Sequence, residues 1–277
     1  MDKPLSPGLH IVATPIGNLG DLSTRAADTL RKADRILAED TRVTAKLLAH
    51  IGAKVPMNRY DDHSSDAERE RIVGLLGEEA VALVSDAGTP LISDPGYKLV
   101  RAARAAGRQV HTLPGPSAVI AALTLAGLPT DRFLFAGFLP SKSKARREAI
   151  AEVATVRATL VFYESGPRLG ETLAALAEHL GDREAAVARE ISKLHEECVT
   201  GSLRELAARY ADAPPRGEIV IVVGPPTEAA APSDEELDAA LDEALSRMSP
   251  SRAAAEVAEK LCVPRKRAYA RALERSK

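Results

Sequence analysis

The chain has 277 residues and a formal net charge of −2, from 37 Lys/Arg against 39 Asp/Glu. That length suits one large domain or two medium ones with a core that needs no covalent staples, and the balanced charge excludes a protein that grips nucleic acid by bulk charge, though not a local basic patch. An aromatic fraction of 3% without tryptophan excludes a reader of single strands that stacks many bases; two cysteines, Cys198 and Cys262, make neither a disulfide framework nor a zinc cluster and fit a reducing cytoplasm. The longest apolar runs, such as Val119–Leu128, fall far short of the roughly 20 residues that span a bilayer, and the N-terminus shows no secretory signal pattern.

Leu9–Ala13 reads as a strand, followed by the loop Thr14–Asp21. Leu22, Ala26, Leu30, Ala33 and Leu37 then recur at helical spacing, with Asp21 as the expected N-cap. Arg35–Ala38 begins a second strand. Ala80–Ser85 is a third, crowded with Val and Leu like a strand buried on both faces. Tyr97–Ala106 is a helix closed by Gly107, Gln109–Leu113 a strand, and Ser117–Ala126 a helix closed by Gly127. Such alternation builds a mostly parallel sheet with helices on both faces.

Gly127–Asp131 reads as a domain joint. Beyond it come the strand Phe133–Phe138, a helix near Lys144–Val153, the strand Thr159–Tyr163, a helix near Arg168–Leu180, and the strands Ala185–Arg189 and Glu218–Val223. Pro225-Pro226 and Ala229–Pro232 read as a linker. Ser233 and Glu236 then stand at capping-box spacing ahead of an acidic helix. Residues 252–277 carry eight Lys/Arg against three Glu and read as helix Ser251–Leu261, turn Cys262-Val263-Pro264 and helix Arg265–Glu274. The expected division is an N-terminal α/β domain 1–127, a second α/β domain 128–226, and a basic helix-turn-helix-like domain 233–277.

In open α/β sheets, ligands bind beyond the C-terminal ends of the strands. Three loops stand there: Thr14–Asp21, Ser85–Gly96 and Pro114–Ser117. All are rich in Gly, Pro and small polar residues, which let backbone N–H groups face a ligand closely. Neither a G-x-G-x-x-G fingerprint nor a P-loop is present. Asp86 and Asp94 suit a cationic ligand or a ribose hydroxyl, or serve as turn caps. Glu39–Arg42 follows a strand and is either two carboxylates beside a guanidinium or a helix start with Asp40 as N-cap; Phe162–Arg168 also follows a strand, and Arg189–Glu197 packs six ionisable groups into nine residues, a solvated face or a site. The six histidines are scattered, without metal-ligand spacing, and no G-x-S-x-G elbow appears. Lys142, Lys144, Arg146 and Arg147 form the best phosphate-contacting patch outside the C-terminus.

Val12–Asp21, Ala38–Arg42, Val84–Gly96, Leu113–Ala118, Phe135–Pro140, Phe162–Arg168, Arg189–Glu197 and Gly217–Val223 together resemble, in order and spacing, the ribosomal RNA small subunit methyltransferase I family. The run VSDAGTPLISDPG is its most specific segment. The chain departs from the family pattern at Gly166-Pro167, where many members have Pro-His, and at Ile191-Ser192. The resemblance implies an α/β, two-domain tetrapyrrole-methylase-like fold with mostly parallel sheets and a small C-terminal helical domain. It also implies a homodimer and S-adenosylmethionine (SAM) held between the two domains, with no metal. The implied reaction is methylation of a cytidine ribose 2′-hydroxyl in 16S ribosomal RNA of the small ribosomal subunit. Thr14, Pro15, Gly17, Ser85, Asp86, Ala87, Gly88, Thr89, Pro114, Gly115, Ser117, Tyr163, Gly217, Glu218 and Ile219 are then expected around SAM. Lys193, Glu190 and Glu164 are candidates to orient or deprotonate the hydroxyl, and the sequence does not choose between them. Arg42, Lys142, Lys144, Arg146, Arg147, Arg168, Arg265, Lys266 and Arg267 are expected to contact RNA. Two rival readings are a methylase of tetrapyrroles or another small molecule on the same fold, and a non-enzymatic assembly factor that binds RNA through the tail.

Overall fold

The computed structural model describes residues 4–226, 233–261 and 263–276, so Cys262 of the expected turn and the linker residues 229–232 lie outside the described residues. The chain divides into two compact units, Met1–Pro225 and Pro226–Lys277.

The first unit opens with a sheet of five strands: β1 (Gly8–Val12), β2 (Arg35–Ala38), β3 (Met57–Arg59), β4 (Ala80–Val84) and β5 (Val110–Leu113). They run in the order β3-β2-β4-β1-β5, and every pairing is parallel. β1 and β4 are buried along their whole length. The period-2 alternation of a strand explains why. Val12, Ile36, Ala38, Ala82 and Val84 point to one face, under α1 (Thr24–Lys32) and α2 (Thr41–His50). Leu9, Ile11, Leu37, Val81 and Leu83 point to the other, under α3 (Asp66–Leu75) and α4 (Tyr97–Ala105). The N-cap of α1 is Ser23, whose hydroxyl accepts from Ala26 N at 3.1 Å, and not Asp21. The backbone is still extended at Leu22, so the helix starts later, and Asp21 closes a 3-10 turn, Leu19–Asp21.

The second sheet comprises β6 (Phe133–Phe138), β7 (Thr159–Ser165), β8 (Glu184–Arg189), β9 (Glu197–Ser202) and β10 (Glu218–Val223), in the order β6-β7-β10-β8-β9. Only β6–β7 is parallel; the other three pairings are antiparallel. This sheet is therefore mixed and not mostly parallel. The loop 190–196 between β8 and β9 is too short for the crossover of a dozen or more residues that parallel neighbours need. One face is covered by α6 (Ser143–Val153), α7 (Leu169–Leu180) and α8 (Leu203–Tyr210), which close over Leu160, Phe162, Val187 and Ile221. The opposite face receives α5 (Ala118–Ala126), whose Val119, Ala122 and Leu123 pack on Val161, Ala186, Ala188 and Val220. α5 precedes the expected joint at 127/128, yet it buries itself against the second sheet. That contact holds the ends of β1, β4 and β5 close to the ends of β7, β8 and β10.

The second unit is three helices, α9 (Asp234–Leu245), α10 (Pro250–Lys260) and α11 (Arg265–Arg275), around Leu237, Leu241, Ala253, Val257 and Ala268. The capping box at Ser233 is formed: its hydroxyl accepts from Glu236 N at 3.1 Å and the Glu236 carboxylate accepts from Ser233 N at 2.9 Å. Asp234, Asp238 and Asp242 lie one turn apart on α9 and face Arg267, Arg271 and Arg275, spaced alike on α11. Arg267 reaches Asp234 at 2.8 Å, Arg271 reaches Asp238 at 2.7 Å, and Arg275 reaches Asp238 at 3.1 Å and Asp242 besides. Part of the basic charge expected on the tail is neutralised within the unit.

Candidate active site

The three Gly/Pro loops of the first sheet are tied to one another. Thr14 and Gly88 exchange backbone hydrogen bonds at 2.8 and 3.1 Å, and the Thr14 hydroxyl donates to Ser85 O at 3.3 Å. The Thr89 hydroxyl donates to Pro116 O at 3.0 Å. The loop after β4 carries Gly88 (φ +79°), Leu91 (φ +77°) and Ser93 (φ +61°). Two non-glycine residues in left-handed backbone cost about 1 kcal/mol or more each, a strain that the ties to its neighbours hold in place.

The loop 190–196 after β8 meets them from the second sheet. It too is strained, with Glu190 at φ +49° and Ser192 at φ +66°. The Glu190 carboxylate accepts from Glu218 N at 3.0 Å and from Lys193 Nζ at 3.0 Å, and Lys193 Nζ also donates to Glu218 Oε2 at 2.9 Å. The Lys193 stem lies across Gly17, where a Cβ would come 2.3 Å from Lys193 Cγ. The Ser192 hydroxyl donates to Asp21. Hydrogen bonds from Glu218 N and then Lys193 hold the Glu190 carboxyl below its ordinary range. Burial pulls the Lys193 ammonium down, but its hydrogen bonds to Glu218 and Glu190 outweigh this and its pKa is raised. Lys193 therefore stays charged at neutral pH and is unsuited to take a proton.

Three cavities adjoin these loops. The first, about 330 Å³, lies between the loop 87–94 and the second sheet, lined by Gly88, Thr89, Asp94, Ser117, Phe138, Tyr163 and Glu218. Its charged lining residues, Asp94, Glu164 and Glu218, are all acids. Burial pushes the Asp94 carboxyl up, a Ser85 hydrogen bond opposes this, and the charges of Asp86 and Asp62 add to it. Burial, then Asp94 and Asp86, pushes Glu39 up. Burial, then Asp94 and Glu218, pushes the Tyr163 hydroxyl up to about 12. A cation placed here relieves this concentration of negative charge. The second cavity, about 340 Å³, is lined by Thr14, Gly17, Leu19, Val43, Lys46 and Lys193 and shares Ile16, Ala87 and Glu218 with the first. The third, about 490 Å³, lies by Gly115-Pro116-Ser117, Leu125 and Ser192.

The residues expected around a ligand divide among these spaces. Ala87, Gly88, Thr89, Ser117, Tyr163, Gly217, Glu218 and Ile219 line the first cavity. Thr14, Pro15, Gly17, Ser85 and Asp86 line the second, and Gly115 the third, whereas Pro114 lines none of the three. Ile16, Ile92, Phe138 and Ile191 also line the first cavity. They gave no signal in the sequence, because an apolar residue in a loop reads like any core residue. Glu164 is 3% exposed. Its carboxylate accepts from Thr172 Oγ1 at 2.6 Å and Ser165 N at 2.8 Å and pairs with Arg168 at 3.4 Å. Its bonding capacity is spent on holding the turn after β7.

The expected RNA contacts fare unevenly. Lys142, Lys144 and Arg147 are exposed. Arg146 is buried, 6% exposed, and donates to Glu171 on α7 at 3.1 Å. It is corrected from an RNA contact to a side chain laid against α7 with its tip paired to an exposed carboxylate: a helix turns 100° per residue, so a basic run longer than one turn sends a member inward. Arg168 donates to Leu139 O at 2.6 Å and Pro140 O at 3.3 Å, tying down that loop. Arg42 is exposed but clamped to Asp40, whose carboxyl it holds well below the usual carboxylate range. Arg265 and Lys266 are exposed, and Arg267 is paired with Asp234. Among the described residues no group of three or more His, Cys, Asp or Glu is placed to hold a metal ion, and no helix is long and apolar enough to cross a membrane.

A parallel sheet is thus joined to a mixed one, with strand-end loops of both meeting at acid-lined space. Residues 8–207 match the family described as Tetrapyrrole (Corrin/Porphyrin) Methylases, and residues 231–276 that described as RsmI C-terminal HTH domain. Among solved structures, uroporphyrin-III-C-methyltransferase from Thermus thermophilus superposes with a TM-score of 0.57 at 23% identity, over 79% of this chain and 94% of that one. Diphthine synthase gives 0.61 at 16% identity, over 78% and 89%. Both show the same fold. The chain is 60% identical over 272 residues, 98% of its length and 96% of the relative's, to Ribosomal RNA small subunit methyltransferase I of Erythrobacter litoralis (strain HTCC2594). It is 48% identical over 275 residues, 98% and 93%, to the protein of that name from Mesorhizobium japonicum (strain LMG 29417 / CECT 9101 / MAFF 303099). It belongs to the ribosomal RNA small subunit methyltransferase I family.

Proposed function

We propose that the protein transfers the methyl group of SAM to the ribose 2′-hydroxyl of a cytidine in 16S ribosomal RNA, working in the cytoplasm as a homodimer. The observation that carries this reading is the first cavity. Its charged lining is wholly acidic, and Asp94 has no ion pair among the described residues, which suits a sulfonium or an α-ammonium, in a chain 60% identical to a protein named for methylating small-subunit ribosomal RNA. Gly88, Thr89, Asp94, Ser117 and Tyr163 would hold SAM, which supplies an electrophilic methyl.

In the transfer a C–S bond breaks as the C–O bond forms, and the hydroxyl loses its proton. Positioning supplies most of the catalysis of such an in-line displacement. Of the three residues first considered for the hydroxyl, Glu164 holds the turn, Glu190 positions Lys193, and Lys193 offers a fixed ammonium to the negative charge developing on the oxygen. Glu218 lines both the first and second cavities and is the carboxylate available to accept the proton.

The reading is tested by mass spectrometry of ribose methylation in 16S ribosomal RNA from cells with and without the protein. The expected result is one cytidine that loses its 2′-O-methyl group when the protein is absent. Unchanged ribose methylation, or label passed from SAM to a porphyrinoid and not to RNA, would overturn it.

A further inference from the structure

The second cavity differs from its neighbours in that ammonium groups offset its two acids, Asp86 and Glu218. The first is lined only by acids among its ionisable carboxylates and ammonium groups, and the third by Asp21 and Glu196. The second carries two ammonium groups, Lys46 and Lys193, on opposite walls: Lys46 from α2 and Lys193 from the loop after β8. Lys193 is committed to Glu190 and Glu218. Lys46 is exposed and has no ion pair among the described residues. The mouth of this cavity also shows two apolar side chains to solvent, Leu19 at 45% and Val43 at 38% exposure. Cations beside exposed apolar surface match a nucleotide, whose phosphate needs the first and whose base covers the second. A sulfonium is better matched by the first cavity, whose lining holds Asp94, Glu164 and Glu218 and no ammonium group.

The geometry points to the second cavity as the acceptor subsite, holding the target nucleotide of an RNA with its phosphate at Lys46 and its base against Leu19 and Val43. This rests on the proposed function and adds a division of labour to it: donor in the first cavity, acceptor in the second. The two spaces share Ile16, Ala87 and Glu218, so the ribose and the methyl meet at that common wall. Cavity size agrees, since about 340 Å³ is on the order of one nucleotide. A target base held there leaves its stack, as in other enzymes that act on a single nucleotide.

The test uses the full-length protein, 16S ribosomal RNA from cells lacking it, and SAM labelled in the methyl group. Lys46→Glu and Val43→Trp are both exposed helix positions, so folding is not at stake, and circular dichroism checks it. Lys46→Glu should raise the KM for RNA several-fold and make the salt dependence of RNA binding shallower by about one unit of slope. Val43→Trp should close the mouth and remove most of kcat/KM for RNA. Both should bind SAM with wild-type affinity by calorimetry. If both variants label RNA with wild-type kcat/KM, the subsite is wrong while the proposed function stands. If both lose SAM affinity in step with RNA labelling, the cavity belongs to the donor. If the wild-type protein binds SAM and labels no ribosomal RNA, the proposed function falls, and the acceptor subsite with it.

Discussion

Two of the ion-pair constellations among the described residues are built on opposite plans. In the second unit, Asp234, Asp238 and Asp242 meet Arg267, Arg271 and Arg275 between two regular helices, every residue in relaxed backbone. In the first unit, Glu190, Lys193 and Glu218 meet on a loop with two left-handed non-glycine residues, against a glycine that leaves no room for a Cβ. The ladder follows from helical periodicity and does little beyond joining α9 to α11. The knot sits in unfavourable backbone beside two cavities, and strain of that kind persists where the surroundings fix one geometry. The contrast separates charge that stabilises a fold from charge held ready for a ligand.

The largest effect that can break this contrast is at the knot. Glu218→Gln should lower kcat about 10²–10⁴-fold, the share of a general base, with a much smaller loss of SAM affinity. A kcat loss matched by an equal loss of SAM affinity would make Glu218 a donor ligand only. Gly17→Val comes next. Its Cβ would overlap the Lys193 stem and its φ of +149° resists a branched residue. A displacement of about 1 Å is enough for roughly 100-fold loss of turnover, measured as methyl transfer from labelled SAM; wild-type turnover would show that the position of Lys193 is immaterial.

Glu164→Ala probes the buried carboxylate that the contrast places on the structural side. Removing it leaves Thr172 without its acceptor and Arg168 without its counter-charge, at a cost of about 3 kcal/mol in denaturant unfolding, whereas SAM affinity of the folded fraction should hold. Smaller effects are expected from the ladder. Bonds from Arg271 and Arg275 lower the carboxyls of Asp238 and Asp242 from 3.8. Lowered folded values favour the folded state above the unfolded pKa, so the ladder's contribution is complete above about 3.8 and is lost as pH falls through the lower folded values. Asp242 is exposed and Asp238 half-buried, so the contribution should be modest and weaken at about 1 M salt, where the screening length is about 3 Å. Hydrogen exchange of the α10 amides in the full-length protein, between pH 5 and 2, checks this; acid-insensitive protection would mean that apolar packing alone holds the unit. The smallest change separates free from paired bases on α11. Arg265→Ala with Lys266→Ala should make the salt slope of RNA binding shallower by about two units if both touch phosphate, and Arg271→Ala should leave it unchanged. Equal slopes in all three proteins would take α11 off the RNA surface.

The sequence by itself determined the strands β1, β2, β4 and β5, because buried parallel strands are short apolar runs between turn signals. It determined the loops at their ends, because close backbone approach calls for Gly, Pro and small polar residues, and it determined the capping box at Ser233, which acts over three residues. β3, α3, β9 and α8 escaped it: β3 has three residues, α3 buries only Ile72, and β9 begins inside a run of charge. What tertiary structure alone decided are partnerships across long stretches of chain. α5 lies on the second sheet and not the first, Arg146 points inward to Glu171, the α11 arginines are answered by α9, and Lys193 keeps its proton because Glu190 and Glu218 converge on it. Propensity and periodicity act within a turn or two of chain, whereas burial and charge pairing depend on which surfaces meet, and those meetings are set by packing of the whole unit.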